Sequence, residues 1–280
     1  MKLATTIIFL HISLVGAWVT LNQYRRPGIH LSLYNENDDC SGFLTTDDLT
    51  RLRKLRERHK TIPIMILDAM LPGQVLEFGS NDPKFKRMLD HVVQTDDETF
   101  GMIGFNPHTG KPLTIGVTLQ IQQVKQTNGI WLVSVKGDRR LEVQCKPWLD
   151  DTNSFYIAHV ELVDTREEVS LDNEQIKHAE RMYRDIPKLV SQWMERVFES
   201  GKTDRDGMNR RLKDIGEMPQ QLRDRAIWTA ALLNPLPALG VCFEIRPAML
   251  ACKNDYDRIN LAWAGLHSSI DHLSGKKWLF

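Results

Sequence analysis

The chain has 280 residues, of which 42% are hydrophobic, so it can bury one substantial core or two modest ones, and disorder along its whole length is excluded. Its 36 basic residues balance 36 acidic ones, so no overall field attracts the protein to a polyanion, and nucleic acid is not favoured as a partner. The four cysteines, at positions 40, 145, 242 and 252, form no Cys-x-x-Cys pair; we predict free, mostly buried thiols, with a disulfide expected only in an oxidising lumen.

The first 21 residues are typical of a targeting signal. Lys2 is followed by a run without charge at residues 3–19, which matches the n-region and h-region of a secretory signal peptide. Ala17 stands where a small residue precedes a cut, which would leave Trp18 as the first residue of the mature chain. A transmembrane anchor is the alternative, but the run contains polar residues and barely reaches the ~20 residues that a span requires. We predict a removed signal at 1–21 and no stable membrane span in the mature chain.

Residues 22–45 are interpreted as a transit-like or disordered segment. The stretch 19–35 carries Arg25 and Arg26 and no acidic residue, a composition typical of organelle transit peptides. It resembles the two-part presequence of algae with complex plastids, in which a transit peptide that begins at an aromatic residue follows a signal peptide. We therefore predict an organelle reached through a signal peptide, with the plastid as the expected destination and the secretory pathway as the alternative.

Residues 46–60 are predicted to form a basic helix. Thr46 and Asp47 are helix-start residues, and leucines at positions 49, 52 and 55 recur about once per turn. Lysine and arginine fill most of the remaining positions. We interpret them as a solvated face, with anionic lipid or nucleic acid as the alternative contact.

Short runs of β-branched, aromatic and leucine residues follow, separated by Gly, Pro and Asn, and they predict strands at 62–67, 71–76, 99–103, 116–121, 135–143 and 156–162. Asn128-Gly129 separates two of the longer runs and is typical of a type I′ hairpin turn. Around position 119 apolar residues alternate with Thr118, Gln120 and Gln122, which predicts one buried and one wet face. One helix is expected at 83–93, with an inner side formed by Phe85, Met88, Leu89 and Val92.

The order and spacing of these patterns resemble the amino-terminal domain of the Lon protease family. The resemblance rests on the opening strand, the Leu71-Pro72-Gly73 turn, the Gly-x-x-Arg hairpin that ends at Arg140, and the Tyr-x-Ala-x-Val-Glu strand from Tyr156. It covers roughly residues 60–165 and continues more loosely to the end, with extra residues in the loop at 78–85. It implies an α+β fold: a PUA-like β pseudo-barrel with one inserted helix at 61–168, followed by an α-helical bundle.

The hydrophobic period changes from 2 to 3.6 near residues 165–170, which predicts a helical subdomain at 169–280. A stripe at helical spacing predicts a packing seam, formed by Ile176, Ala179, Tyr183, Ile186, Val190, Trp193 and Val197. Pro187 falls inside this stripe, so the helix should kink or restart there. Further helices are expected at about 219–233 and 255–273. The proline-rich segment 234–241 between them is interpreted as a rigid connector under the barrel, with a docking loop as the alternative.

The sequence predicts no catalytic residue, no metal site and no cofactor. Ser200-Gly201-Lys202-Thr203 ends like a phosphate-binding loop, but Arg196 stands where the motif needs glycine, and a helix is predicted where it needs a strand. His267 and His272 are five residues apart and do not share a helix face. The ATPase module and Ser-Lys dyad of the Lon protease lie beyond this domain and the sequence ends at Phe280, so we expect a stand-alone domain that is not an enzyme.

The resemblance implies a non-catalytic module that binds unfolded or specific protein segments, an adaptor in protein quality control with a protease or chaperone as partner. An RNA-binding module is the alternative, because PUA-like barrels also bind RNA. Aromatic residues near the predicted hairpin ends and two neighbouring arginines are the candidate partner-binding residues: Trp131, Arg139, Arg140, Trp148, Phe155 and Tyr156. For Trp131 and Tyr156 core filling is the alternative, and for the arginines a structural role in the hairpin.

Overall fold

The computed structural model describes residues 46–47, 50, 59–95, 99–106, 109–151, 154–163, 171–236 and 238–276, all within one compact unit, Thr45–Phe280. The predicted signal at 1–21, the segment 22–45, ten of the fifteen residues of the predicted basic helix and the predicted boundary at 165–170 lie outside the described residues. Among the helices described, none has the length and apolar character needed to cross a bilayer.

The first half of the described chain forms seven strands and one helix. The strands are β1 (His59–Ile66), β2 (Val75–Ser80), β3 (Thr99–Phe105), β4 (Pro112–Thr127), β5 (Ile130–Val143), β6 (Trp148–Leu149) and β7 (Tyr156–Leu162). The helix is α1 (Pro83–Gln94). Strand β1 begins at His59 and so includes the last two residues that the sequence assigns to the basic helix.

The strands close into a barrel because β5 has partners at both of its ends. The sheet order is β2-β5-β4-β3-β1-β7-β6, and the carboxyl end of β5 also pairs with β7, where Leu141 lies opposite Leu162. Strands β1 and β3 run parallel, whereas the other pairs are antiparallel. One compact cluster of buried apolar side chains is contributed by four of these strands: Ile62, Ile64, Ile103, Leu141, Val143, Ala158, Val160 and Leu162. The pseudo-barrel prediction is confirmed.

The hairpin between β4 and β5 turns as the sequence predicts. Asn128 and Gly129 both have positive φ, at 51° and 78°, and Thr127 lies opposite Ile130. The alternation of buried and wet positions fails at Thr118, which is only 4% exposed. A bulge shifts the register there, and the Thr118 hydroxyl accepts a hydrogen bond from the Arg139 backbone N–H at 3.0 Å. The prediction that Thr118 lies on the solvent-exposed face was therefore wrong.

Helix α1 matches its prediction closely because its start and its apolar face are both determined by residues within the segment itself. The Asp82 side chain accepts a hydrogen bond from the Lys84 backbone N–H at 2.8 Å, and Pro83 occupies the first turn, where its missing N–H costs nothing. The buried face consists of the four predicted residues, Phe85, Met88, Leu89 and Val92.

The second half is helical, with α2 (Asn173–Glu199), α3 (Arg205–Ile215), α4 (Leu222–Leu233), α5 (Arg246–Ala251) and α6 (Asp255–Leu273). Helices α4 and α6 lie where the sequence predicts them. The sequence analysis missed α3, in which Met208 is the one fully buried residue, and α5, a short helix with Pro247 in its first turn. With these helices the α+β architecture is complete.

The predicted seam of α2 is mostly confirmed. Five of its residues are buried, whereas Ile176 is 43% exposed and Tyr183 is partly exposed. Pro187 does not restart the helix, which runs without a break through that position. Because proline has no N–H, the carbonyl of Tyr183, four residues earlier, loses its helical donor. The buried Arg225 replaces that donor: its Nη1 donates to the Tyr183 carbonyl at 3.2 Å, and its guanidinium stacks 3.7 Å from the Tyr183 ring.

Gln74, which follows the Leu-Pro-Gly turn and is 2% exposed, joins the barrel to the helices. Its Nε2 donates to the carbonyls of Asn234 and Ala231, at 2.9 and 3.3 Å, at the end of α4. Its Oε1 accepts from the Leu71 backbone N–H at 2.9 Å. The segment after α4 is therefore held under the barrel, which favours the connector interpretation of 234–241 over the docking loop.

Candidate functional site

Three of the six predicted partner-binding residues meet in one hairpin, formed by β6 and β7. Leu149 lies directly opposite Tyr156, and the Asp150 backbone N–H donates to the Phe155 carbonyl at 2.9 Å. Trp148 precedes Leu149 in β6 and lies opposite Ile157. The hairpin therefore places Trp148 on one strand, Tyr156 at the start of the other, and Phe155 in the loop directly before it.

Leu149 and Tyr156 form an exposed apolar pair. Their exposed fractions are 42% and 46%, and residues directly opposite each other in an antiparallel pair contact through their side chains. Tyr156 is therefore exposed on the surface and does not fill the core. Sequence reasoning missed Leu149, because a two-residue strand beside Pro147 offers no alternation from which its exposure could be predicted.

The outer edge of β6 has no neighbouring strand in the described sheet. In antiparallel pairing, hydrogen-bonded and non-hydrogen-bonded residue pairs alternate. The bond from Asp150 to Phe155 makes that pair a hydrogen-bonded one, so the adjacent pair, Leu149 and Tyr156, is not. The N–H and C=O of Leu149 consequently point away from β7 toward the open edge. Such an edge can accept an extended peptide as an additional strand.

Two aromatic residues fix the hairpin in place. Phe155 is 4% exposed and its ring lies 5.2 Å from the His91 ring of α1, so it belongs to the core. Trp148 is partly buried, with its ring 4.8 Å from the ring of His159. His159 Nδ1 lies 2.7 Å from Thr61 Oγ1 on β1, which ties the outer face of β7 to its neighbour. Trp148 and Phe155 thus position the exposed pair.

The same end of the barrel carries a third exposed apolar residue, Phe105, which is 47% exposed at the end of β3. Strands β1 and β3 run parallel and β7 runs antiparallel to β1, so the end of β3 and the start of β7 lie at one end of the barrel. We call Phe105, Leu149 and Tyr156 the apolar rim. These three exposed apolar residues lie on three different strands at one end of the barrel, and exposed apolar surface is a candidate for an interaction site.

The other three predicted residues lie elsewhere. Trp131 is partly buried against the core, with Lys86 Nζ 5.5 Å from its ring, which supports core filling. Arg139 has a side chain that is 60% exposed and lies 3.4 Å from Asp138. Arg140 faces the helices, and its Nη1 donates to the Cys252 carbonyl at 3.1 Å. The structure does not bring these residues to the hairpin.

The segment 200–203, which resembles the end of a phosphate-binding loop in sequence, lies at the carboxyl end of α2. Gly201, with φ of 69°, donates its N–H to the Phe198 carbonyl and closes the last turn of α2. Within the described part of the chain no group of His, Cys, Asp or Glu could hold a metal ion. Of the three cysteines described, only Cys242 is buried, so the expectation of mostly buried thiols was wrong. Burial, followed by the charge of Glu244, raises the pKa of the Cys242 thiol to about 12.

A sequence model of one family, the ATP-dependent protease La (LON) substrate-binding domain, matches residues 61–237, more than half of the chain. Among solved structures, the N-terminal domain of the Mycobacterium avium complex Lon protease is similar, with a TM-score of 0.50, 14% identity, and coverage of 74% of this chain and 98% of that chain. The Lon N-terminal domain protein from Xanthomonas campestris has a TM-score of 0.46 and 17% identity, covering 73% and 98%. The first likeness shows the fold alone. No curated protein sequence matches the chain.

Proposed function

Because the chain belongs to the family of the ATP-dependent protease La (LON) substrate-binding domain, we propose that it binds extended, apolar segments of other proteins at the edge of β6. The substrate-binding domain is a non-catalytic module, and family membership supports protein binding as its general activity. The observation that carries the specific proposal is the exposed pair of Leu149 and Tyr156 beside an unpaired strand edge.

The geometry supplies both parts of a peptide-binding contact. The outward N–H and C=O of Leu149 would bond to the backbone of a bound segment, and this bonding would not depend on the sequence of that segment. The apolar rim would then select apolar side chains, since burying one of them is favourable by roughly 1–3 kcal/mol. A contact this small is expected to be weak, with a dissociation constant of about micromolar size.

We extend the proposal to a biological role as an adaptor in protein quality control, with a protease or chaperone as partner. Support for this role comes from the family, whose domain is named for binding the substrates of a protease. The proposed organelle, with the plastid first and the secretory pathway as the alternative, rests on residues 1–45. A fluorescent protein fused behind those residues should accumulate in the organelle, and diffuse cytosolic fluorescence would contradict the targeting proposal.

The binding proposal is tested with the full chain and a permanently unfolded probe, reduced and carboxymethylated α-lactalbumin, by fluorescence anisotropy. Replacing Leu149 and Tyr156 together by serine should weaken binding at least about fivefold, which corresponds to roughly 1 kcal/mol. Ile176→Ser is the matched control, because Ile176 is equally exposed but lies on α2. Absence of binding to the probe, or an equal loss in the control, would refute the proposal.

The RNA alternative is tested in the same assay with a transfer RNA at low and high salt. RNA binding through phosphate contacts should fall steeply as salt rises and should not depend on the apolar rim. Tight, salt-sensitive RNA binding that survives the double serine substitution, together with no binding of the unfolded probe, would favour the alternative.

A further inference from the structure

An exposed aromatic residue of the helical half, Phe243, lies in the segment between α4 and α5. Its side chain is 44% exposed, although Cys242 before it and Ile245 beyond it are buried. Its carbonyl accepts a hydrogen bond at 3.2 Å from Nδ2 of the 4% exposed Asn234, whose Oδ1 accepts from the Ile245 N–H at 3.3 Å. Buried hydrogen bonds therefore hold Phe243 at the surface in a fixed position.

Two half-exposed carboxylates lie beside Phe243 and share one buried arginine. Glu244 follows Phe243 directly, and both of its side-chain oxygens accept from Nε of Arg246, each at 2.9 Å. Nη2 of Arg246 donates to Asp68, in the segment after β1, at 3.1 Å. The side chains of Glu244 and Asp68 are 38% and 49% exposed, whereas that of Arg246 is 4% exposed. Among the described residues one buried cation thus pairs with two carboxylates, so a net negative charge faces solvent.

This group lies at the same end of the barrel as the apolar rim. Strands β1 and β3 run parallel, so the segment after β1 leaves the sheet beside the end of β3. Gly104 of β3 packs directly against that segment, since an added Cβ would lie 2.6 Å from the Ala69 backbone nitrogen and 3.0 Å from the Asp68 carbonyl carbon. Phe105 of the apolar rim follows Gly104 in β3. A segment bound at the rim therefore lies close enough to extend onto Asp68.

The chemistry of this surface suits a basic side chain. The alkyl stem of a lysine or arginine packs on apolar surface while its charged head stays in water, and its cation is attracted to an aromatic ring. We infer that Phe243, Asp68 and Glu244 form a subsite for a lysine or arginine side chain of the bound segment. The inference rests on the proposed binding of extended apolar segments, and it narrows them to segments in which a basic residue accompanies the apolar ones.

The test compares three fluorescein-labelled peptides that share one apolar core and are flanked by lysines, serines or glutamates. Fluorescence anisotropy with the full chain at low ionic strength gives each dissociation constant. The lysine-flanked peptide should bind about twofold to fivefold more tightly than the serine-flanked one, as expected for an exposed ion pair, and the glutamate-flanked peptide should bind most weakly.

Two substitutions assign this preference to the subsite. Glu244→Gln keeps the shape beside Arg246 but removes one charge, so the lysine-flanked and serine-flanked peptides should bind nearly equally. Phe243→Ser removes the surface on which the alkyl stem packs, so it should weaken binding of the lysine-flanked peptide more than that of the serine-flanked one. Glu180→Gln is the matched control, because Glu180 is a 55% exposed carboxylate that pairs with Arg184 on α2, and it should keep the full preference.

The outcomes separate this inference from the proposed function. Equal binding of the lysine-flanked and serine-flanked peptides to the unaltered chain would overturn the inference and leave the proposed function standing. Absence of binding by all three peptides would refute the proposed function, and the inference with it. A lysine preference that survives both Glu244→Gln and Phe243→Ser, or that falls equally in Glu180→Gln, would mean a general attraction of charge and would overturn the inference. Phe243→Ser changes an exposed side chain, so it decides the matter even if Glu244→Gln fails to fold.

Discussion

Replacing Gln74 by methionine should destabilise the whole described unit, because Gln74 joins the barrel to the end of α4. Methionine has nearly the same length and volume, so it leaves no cavity, but it can neither donate nor accept these hydrogen bonds. The Leu71 N–H and the carbonyls of Asn234 and Ala231 would lose their partners. All of these groups lie in a buried environment around a side chain that is 2% exposed.

The expected loss follows from these three bonds. A buried group left without a partner costs about 1–3 kcal/mol, and the 3.3 Å bond to Ala231 is the weakest of the three. Added apolar burial by methionine offsets part of the cost, so we expect a net loss of about 2–4 kcal/mol. With a urea m-value of roughly 2–3 kcal/mol/M, the unfolding midpoint should fall by about 1 M.

Urea unfolding followed by circular dichroism measures this loss. Gln120→Met is the matched control, because Gln120 is exposed on β4, and its unfolding free energy should change by less than about 0.5 kcal/mol. If Gln74→Met were as stable as Gln120→Met, the bonds from Gln74 to the helices would carry no net stability and the reasoning would be refuted.

Three further predictions concern the core and its chemistry. Arg225→Met should lower the free energy of unfolding by about 2–4 kcal/mol, because the Tyr183 carbonyl loses its donor. Adding Pro187→Ala restores a helical N–H for that carbonyl and should recover part of the loss. Strictly additive effects in a double-mutant cycle would contradict the coupling between Arg225 and Pro187. Because its pKa is raised to about 12, the Cys242 thiol stays protonated at pH 8, so iodoacetamide should modify exposed Cys145 far faster, as mass spectrometry of the native protein would show. Gly137→Ala places a Cβ 2.5 Å from the Leu71 carbonyl oxygen and should lower the free energy of unfolding in urea by at least about 1 kcal/mol; an unchanged free energy would mean that the backbone moves at no cost.

Local signals explain which elements the sequence predicts well. Helix α1 carries its cap at Asp82 and its apolar stripe within one short segment, and the β4–β5 hairpin carries Asn128-Gly129 at its turn. Helix α3 also carries local signals, a cap at Asp204 and a stripe formed by Met208, Leu212 and Ile215, but the stripe is short and only Met208 is fully buried, so the sequence analysis missed it. The unbroken α2 depends instead on Arg225, which is distant in sequence from Pro187.

The candidate site was only partly predictable for the same reason. Tyr156 is among the predicted partner-binding residues because aromatic residues are common at interfaces, but its partner Leu149 lies in a strand too short to show a period. The distinction between buried Phe155 and exposed Tyr156 is set by the contact with His91 of α1, which the sequence does not reveal. The role of Arg140 was left open between a structural contact and an anion contact, and the structure supplies the first of these.

The pairing of β1 with β7 has a consequence for synthesis on the ribosome. His59 lies opposite Glu161, so the barrel joins residues about a hundred positions apart, a high contact order that is expected to make closure slow. Gln74 and Arg140 form their bonds later still, because their acceptors near residues 231–234 and 252 are synthesised after the barrel strands. Helix α6 follows and completes the core, where Trp193 of α2 donates to Ser269. A nascent chain that ends before α4 should therefore stay open to proteases, and resistance to limited proteolysis should appear only once the segment up to about residue 273 has been made.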